Sequence, residues 1–343
     1  MRVKNPLRSI ANFVFRQAPL SAQLIVTRRC NLSCGYCTEY DRVSEMIPLA
    51  ALKERIDALH RLRVINIALL GGEPLMHPDV AEIVAYIDRK AQASITTNGF
   101  LITEPLIRKL NAAGLRNMQV SIDTVKPDPS LFIQKSLKTV RPKLDLLKRI
   151  AEFDVFINLV LCEQSKGEFK QTLREFSDLG FAVSLDLVHD SKGHLAIGGP
   201  EYLELWEHYY KNTRPFMYLE QDYGTRLLRG ERPAWQCRAG TRFLYVDEFG
   251  KAQFCSAQRG RLDKPIVEYT REDAREYSKT HRGCESGCAM LCHYRDSAFD
   301  NQPLRTIQSV LKLLGRPAVG RGASGHAEAA RRPPGAVATP EAE

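Results

Sequence analysis

Three cysteines near the start of this chain, Cys30, Cys34 and Cys37, lie in the run Arg29-Cys30-Asn31-Leu32-Ser33-Cys34-Gly35-Tyr36-Cys37. The spacing Cys-x3-Cys-x2-Cys supplies three thiolates and no fourth. A structural zinc site closes its tetrahedron with four protein ligands. A cubane iron–sulfur cluster has four iron corners to ligate. Three thiolates therefore leave one corner open, and an open position is where a metal centre does chemistry. Asn31 and Gly35 suit a tight loop, and the loop follows the apolar run Leu24-Ile25-Val26. Open α/β sheets and barrels carry their reactive groups on loops at the carboxyl ends of strands.

The elements that must position this loop follow from periodicity. Apolar runs at Gln23–Thr27, Asn66–Leu70, Ala93–Thr97, Met118–Ile122, Phe156–Leu161 and Ala182–Val188 read as strands. Helical patterns lie between them at about 49–63, 78–90, 103–113, 131–153 and 168–179, with Gly114 and Gly180 at helix-ending positions. Six strands alternating with helices imply parallel pairing, in a partial barrel of six β/α units or a doubly wound sheet. The strand ends carry polar groups: Gly71-Gly72-Glu73-Pro74 after the second, Thr97 and Asn98 after the third, Ser121 and Asp123 at the fourth. Two glycines let backbone approach a ligand closely, Pro74 fixes the turn, and Glu73 can accept from a ligand ammonium. His77, Asp186, His189 and Asp190 lie near the same mouth, where a structural or solvent role competes with a functional one. Asn158 sits inside an apolar strand, as a ligand contact or a satisfied core amide.

The three-cysteine loop, with an aromatic residue before its last cysteine, and the Gly-Gly-Glu-Pro turn about forty residues later together resemble the radical S-adenosylmethionine (SAM) superfamily. The resemblance covers about residues 20–300 and favours the partial barrel. It implies a 4Fe–4S cluster on Cys30, Cys34 and Cys37, whose open iron chelates the amino and carboxylate groups of SAM. It also implies SAM contacts from Gly71, Gly72, Glu73 and Pro74, from Thr97, Asn98, Ser121, Asp123 and Asn158, and from the backbone after Tyr36. The implied chemistry is reductive cleavage of SAM to a 5′-deoxyadenosyl radical, which abstracts a hydrogen atom from substrate carbon; the protein binds, orients and excludes water. A one-electron donor such as flavodoxin or ferredoxin is implied as a partner.

Five more cysteines lie within residues 231–300. Cys237 and Cys255 stand near the ends of two short strands around a turn at Asp247–Gly250. Cys284, Cys288 and Cys292 follow as Cys-x3-Cys-x3-Cys, which puts all three on one side of a helix or lets a loop wrap a metal. The layout resembles the auxiliary-cluster domains of the superfamily, the SPASM and twitch types, although the later spacings depart from the full SPASM pattern. Five thiolates cannot hold two complete four-iron clusters. One auxiliary 4Fe–4S cluster is expected, on Cys237, Cys255 and two of Cys284, Cys288 and Cys292. A zinc ion would accept the same four thiolates. His293 is a substitute ligand or, more in keeping with its type, a surface residue. Cys162, alone in an apolar strand, reads as an inert buried thiol.

The expected organisation is a basic amphipathic helix over 1–19, a core over 20–188, a bridge over 189–230, an auxiliary domain over 231–300, a short helix over 301–315 and a disordered tail over 316–343. Nine cysteines are too many for a metal-free cytosolic enzyme and too sparse for a disulfide scaffold of 343 residues. With no secretory signal in residues 1–20 and no stretch of ~18 apolar residues, a reducing cytoplasm is the expected location. The net charge of +9 is spread along the chain without aromatic interleaving, so no nucleic-acid partner is expected. Leu7, Ile10, Ala11 and Val14 share a helical face beside Lys4, Arg8 and Arg16, which suits weak contact with a membrane surface or docking on protein. The substrate is expected to be a peptide or small molecule. A lipid or isoprenoid is a further reading, and a non-catalytic iron–sulfur or zinc protein on a decayed scaffold is the rival from another class.

Overall fold

A computed structural model describes residues 18–127, 135–213 and 218–314. Strand and helix alternate from the start: β1 (Ser21–Thr27), α1 (Leu49–Arg61), β2 (Asn66–Gly71), α2 (Val80–Asp88), β3 (Gln92–Thr97), α3 (Glu104–Ala112), β4 (Asn117–Ser121), α4 (Leu137–Ile150), β5 (Asp154–Leu161), α5 (Phe169–Asp178) and β6 (Ala182–Leu187). Two helices follow, α6 (Pro200–Asn212) and α7 (Glu220–Leu228). Then come β7 (Phe243–Val246), β8 (Lys251–Gln253), β9 (Lys264–Pro265), α8 (Arg271–Ser278), α9 (Leu291–Asn301) and α10 (Pro303–Leu314).

The strands lie in the order β6-β5-β4-β3-β2-β1-β7-β8-β9. From β1 to β6 every neighbour in the sheet is a neighbour in sequence, and every pairing is parallel. A doubly wound sheet reverses its strand order at a switch point; this one does not, so its winding is that of a partial barrel. Side-chain alternation agrees. Leu24, Leu69, Ile95, Val120, Leu159 and Leu185 are buried in the core shared with the helices. Their alternates on the opposite, inner face are polar in most strands: Gln23, Ser94, Gln119, Asn158, Ser184 and Asp186.

The cysteine-rich segment continues this sheet. β7 pairs in parallel with β1, with Ser21 opposite Phe243 and Leu24 opposite Val246, and β8 and β9 add antiparallel edges. The hairpin turn is the expected one: Asp247 Oδ1 accepts from Phe249 N at 3.0 Å and Lys251 N at 2.9 Å.

Helix limits follow the caps. α3 starts where Thr103 Oγ1 accepts from Leu106 N, and Leu52, Ile56 and Leu59 give α1 its buried stripe. The helix expected over 131–153 begins only at Leu137, because Ser136 Oγ accepts from Thr139 N and ends the preceding loop; residues 131–134 lie outside the described residues. So do residues 1–17, which would carry the amphipathic helix and any membrane contact, and residues 315–343 of the tail. Among the described residues no helix is long and apolar enough to cross a membrane.

Candidate active site

The carboxyl ends of β1, β2 and β3 are tied together under the three-cysteine loop. A Cβ on Gly71 (φ +141°) would stand 1.9 Å from the Thr27 carbonyl oxygen, and one on Gly72 would stand 2.2 Å from that of Arg29. Gly72 N donates to Thr27 O at 2.9 Å and Glu73 N to Arg29 O at 2.8 Å. The two glycines thus admit the backbone that leads into Cys30.

Glu73 is fully buried. It accepts from Thr97 Oγ1 at 2.7 Å, Asn98 N at 2.8 Å and Leu75 N at 3.0 Å. Burial pushes its pKa up against these bonds. Three donors leave little of the carboxylate for a ligand ammonium, and Thr97 spends its hydroxyl hydrogen on Glu73. Asn98 turns toward the cysteines: Nδ2 donates to Asn31 Oδ1 at 2.8 Å and reaches Cys30 Sγ at 3.8 Å. Leu32 N also donates to that sulfur, at 3.4 Å. Donors aimed at a sulfur suit a cluster ligand, since hydrogen bonds to sulfur tune a cluster's potential.

Cys37 N closes a turn onto Cys34 O at 3.0 Å, and the three thiols lie within electrostatic reach of one another. Burial pushes the Cys34 thiol up to about 11, opposed first by the charge of Lys135. Sequence reasoning missed Lys135. It lies in no motif and reaches the mouth through the loop after β4, where Asp123 N bonds its carbonyl at 2.8 Å. Its Nζ pairs with Asp123 Oδ2 at 3.2 Å and sits 5.0 Å from the Tyr36 ring centre. Burial disfavours the lysine charge, but Asp123 and Cys34 outweigh it and hold the pKa above the usual value. The Tyr36 hydroxyl donates to Asp123 Oδ2 at 2.5 Å, so this tyrosine is anchored rather than merely packed. Asp123 Oδ1 is buried with no partner, an open acceptor that a bound ligand would satisfy.

The remaining polar residues separate. His77 is buried with both nitrogens engaged, Nε2 with Ile47 O at 2.8 Å and Nδ1 accepting from Asp79 N at 3.1 Å. Asp190 caps its own turn, accepting from Lys192 N and His194 N, and His189 Nδ1 lies 2.8 Å from Asp190 O. Ser121, Asn158 and Asp186 stand on the inner face. Cys162, just past β5, is buried against Ser165 Oγ at 3.5 Å.

The second cysteine group divides into four and one. Cys237, Cys255, Cys284 and Cys288 are electrostatic neighbours of one another. Burial raises all four thiols, Cys255 to about 11 and Cys237 to about 12. Tyr223 donates to Cys288 O at 2.6 Å and Trp235 Nε1 to Glu285 O at 2.9 Å, and the Tyr223 ring stacks on Tyr294 at 3.9 Å. Cys292 interacts first with Asp186, Arg295 and Asp296 and only then with Cys255. His293 is not at the surface. It is buried 3.9 Å from the Phe243 ring, and burial lowers its pKa to about 3.

Residues 24–176 match the radical SAM superfamily. Over this segment, a little under half of its length, the chain is similar to that superfamily. Over 181 residues it is 32% identical to a probable GTP 3′,8-cyclase of Aeropyrum pernix, covering 49% of this chain and 50% of that one. Over 119 residues it is 34% identical to a PqqA peptide cyclase of Xanthomonas oryzae, covering 32% and 30%. The chain thus spans half the length of the first relative and about a third of the second. The fold is that of a structure described as native anSMEcpe with bound AdoMet and Cp18Cys peptide, at TM-score 0.57 and 17% identity, covering 86% of this chain and all of that one. Streptococcus suis SuiB bound to its precursor peptide SuiA gives TM-score 0.56 at 16% identity, covering 77% and 66%.

The superfamily implies SAM and a 4Fe–4S cluster, and the residues present fit both: three thiols on one loop, two donors on Cys30 Sγ, and an open buried acceptor on Asp123. Among the described residues no three of His, Cys, Asp or Glu converge on a single ion. A cubane does not ask for that, because each thiolate takes its own iron.

Proposed function

We propose that this chain cleaves SAM reductively and abstracts a hydrogen atom from a polar peptide or small molecule, with one auxiliary 4Fe–4S cluster on Cys237, Cys255, Cys284 and Cys288. The observation that carries this reading is the division of the cysteines: three on the loop after β1, four grouped behind the β7–β8 hairpin, and Cys292 set apart. Bound SAM and its cluster supply the one-electron chemistry. The chain's own part is to hold and shield them. Asn98 and Leu32 steady Cys30, Tyr36 and Lys135 fix Asp123, and Thr97, Glu73 and the two glycines lock the strand ends that carry the loop. Thr97 and Glu73 thus act on SAM through position, and Asp123 Oδ1 and Ser121 are the contacts offered directly. The polar groups that β3, β4 and β6 present on the inner face favour a polar substrate over an isoprenoid, although Ile25 and Leu70 make an apolar patch beside β7.

Anaerobic reconstitution tests the reading. Two clusters predict roughly eight irons per chain. Replacing Cys30, Cys34 and Cys37 together by alanine should leave about four and abolish 5′-deoxyadenosine formation with a strong reductant. Cys284→Ala should lose auxiliary iron, and Cys292→Ala should keep it. Wild type holding only about four irons, with zinc in the second site, would overturn the auxiliary cluster.

A further inference from the structure

α9 lies against the inner face of the sheet and brings charge to it. Ser21 of β1 donates to Asp296 of this helix. Asp186 of β6 is the first electrostatic neighbour of Cys292 and also feels Arg295. Arg295 Nε bonds Glu220 Oε1 at 2.6 Å. One guanidinium is therefore shared by three carboxylates, Asp186, Asp296 and Glu220. Among the described residues the other basic side chain acting on Asp186 is His189. The ionised cluster is short of positive charge.

Asn158 faces the same place. It pairs across the sheet with Ser121 of β4 and Ser184 of β6, is only 5% exposed, and hydrogen-bonds to Asp186. A carboxylate accepts, so the amide nitrogen must be the atom turned to Asp186. That leaves Oδ1, which is buried without a partner. The free valence at this spot is an acceptor beside excess negative charge, three residues inside the carboxyl end of β5 and below the mouth where Cys30 and Asp123 gather.

We propose that Asn158 and Asp186 are the substrate-recognition site and take the ammonium end of an amine-bearing substrate, with Asp296 the second acid that draws on the same Arg295. The proposal rests on the radical SAM reading above and names the substrate class for it; it also makes Asn158 a substrate contact in place of a SAM contact. An ammonium brings three donors and a full charge. One donor satisfies Asn158 Oδ1, and the charge relieves Asp186, which Arg295 serves only in part. Burial works in the same direction, raising both Asp186 and Asp296, since an enclosed carboxylate gains most from a cation at contact distance. Neutral hydroxyl or acetamide groups would satisfy the amide oxygen and leave the charge unmet.

The test uses reconstituted, SAM-loaded protein and two matched probe pairs in calorimetric titrations. One pair is glucosamine and N-acetylglucosamine; the other is Nα-acetyl-lysine amide and its Nε-acetyl derivative. The amine of at least one pair should bind about tenfold tighter than its acetylated partner, the first pair pointing to a small molecule and the second to a peptide. Asp186→Asn and, independently, Asn158→Leu should bring that ratio close to one. Equal binding within both pairs, or a ratio unchanged in both variants, would overturn the proposal. Wild-type 5′-deoxyadenosine formation in the same samples reads the underlying activity separately. SAM cleavage without amine preference sinks the substrate class alone, whereas no cleavage sinks the radical SAM reading.

Discussion

Asn98 ties three parts of the site together. Its backbone N–H bonds Glu73, its Oδ1 accepts from Phe100 N at 3.0 Å, and its Nδ2 reaches Asn31 and Cys30. Asn98→Ala removes the last three contacts, whose partners are part-buried or exposed, at a cost of about 1 kcal/mol. It also strips one donor from Cys30 Sγ. With less hydrogen bonding to sulfur, the reduced cluster is less favoured, so the midpoint potential of the SAM-site cluster should fall. A redox titration followed by electron paramagnetic resonance checks the direction; an unchanged potential would make Asn98 a packing residue. The cysteine spacing was legible in sequence because thiolates on one loop need no tertiary context. Lys135 was not, since only the fold brings it to Asp123. The burial of His293 was hidden for the same reason: nothing local announces that Phe243 of β7 lies over it.

At the scale of elements, the order and approximate limits of the six parallel strands were readable, because apolar alternation and glycine stops are local signals. The inner polar face was readable only in part. Ser94, Gln119 and Ser184 look like ordinary strand alternation until the one-sided winding shows which face the helices leave bare. The pairing of β7 with β1 was not readable, because it joins segments more than two hundred residues apart. The join between β1 and β2 makes the sharpest prediction here. Gly72→Ala would drive a methyl group to 2.2 Å from the Arg29 carbonyl, with backbone rather than a movable side chain in the way. A loss of roughly 3 kcal/mol or more is expected. Gly180→Ala meets open space and carries only the strain of φ +75°, about 1 kcal/mol. Urea midpoints at equal m-value should rank the two variants in that order; equal losses would mean that the β1–β2 join can relax.

The whole molecule holds its two cysteine sites together through charge. Glu39, two residues past Cys37, accepts from Arg28, from the Tyr245 hydroxyl of β7 and from Arg259, which also pairs with Glu248 of the hairpin. Beneath the inner face a second set of buried groups sets how stability responds to pH. Asp296 titrates near 6 in the folded protein, well above the usual carboxylate value, chiefly because burial penalises its charge. Between about pH 4 and 6 the folded state therefore binds a proton that the unfolded chain has lost, so this residue's contribution to stability falls as pH rises, by at most about 3 kcal/mol. His293 does the opposite. Burial lowers it to about 3, the unfolded chain binds the extra proton between about pH 3 and 6.5, and stability from this residue rises with pH. The two slopes oppose each other, and the wild type hides both. Asp296→Asn keeps a group that can accept from Ser21 but removes the carboxylate titration. Relative to wild type, it should be near neutral at pH 4 and gain stability progressively to pH 6.5, by up to about 3 kcal/mol. Urea unfolding of cluster-free protein at the two pH values measures this without interference from acid loss of iron. Parallel curves for wild type and variant would show that Asp296 is solvated in the folded protein and titrates as an ordinary carboxylate.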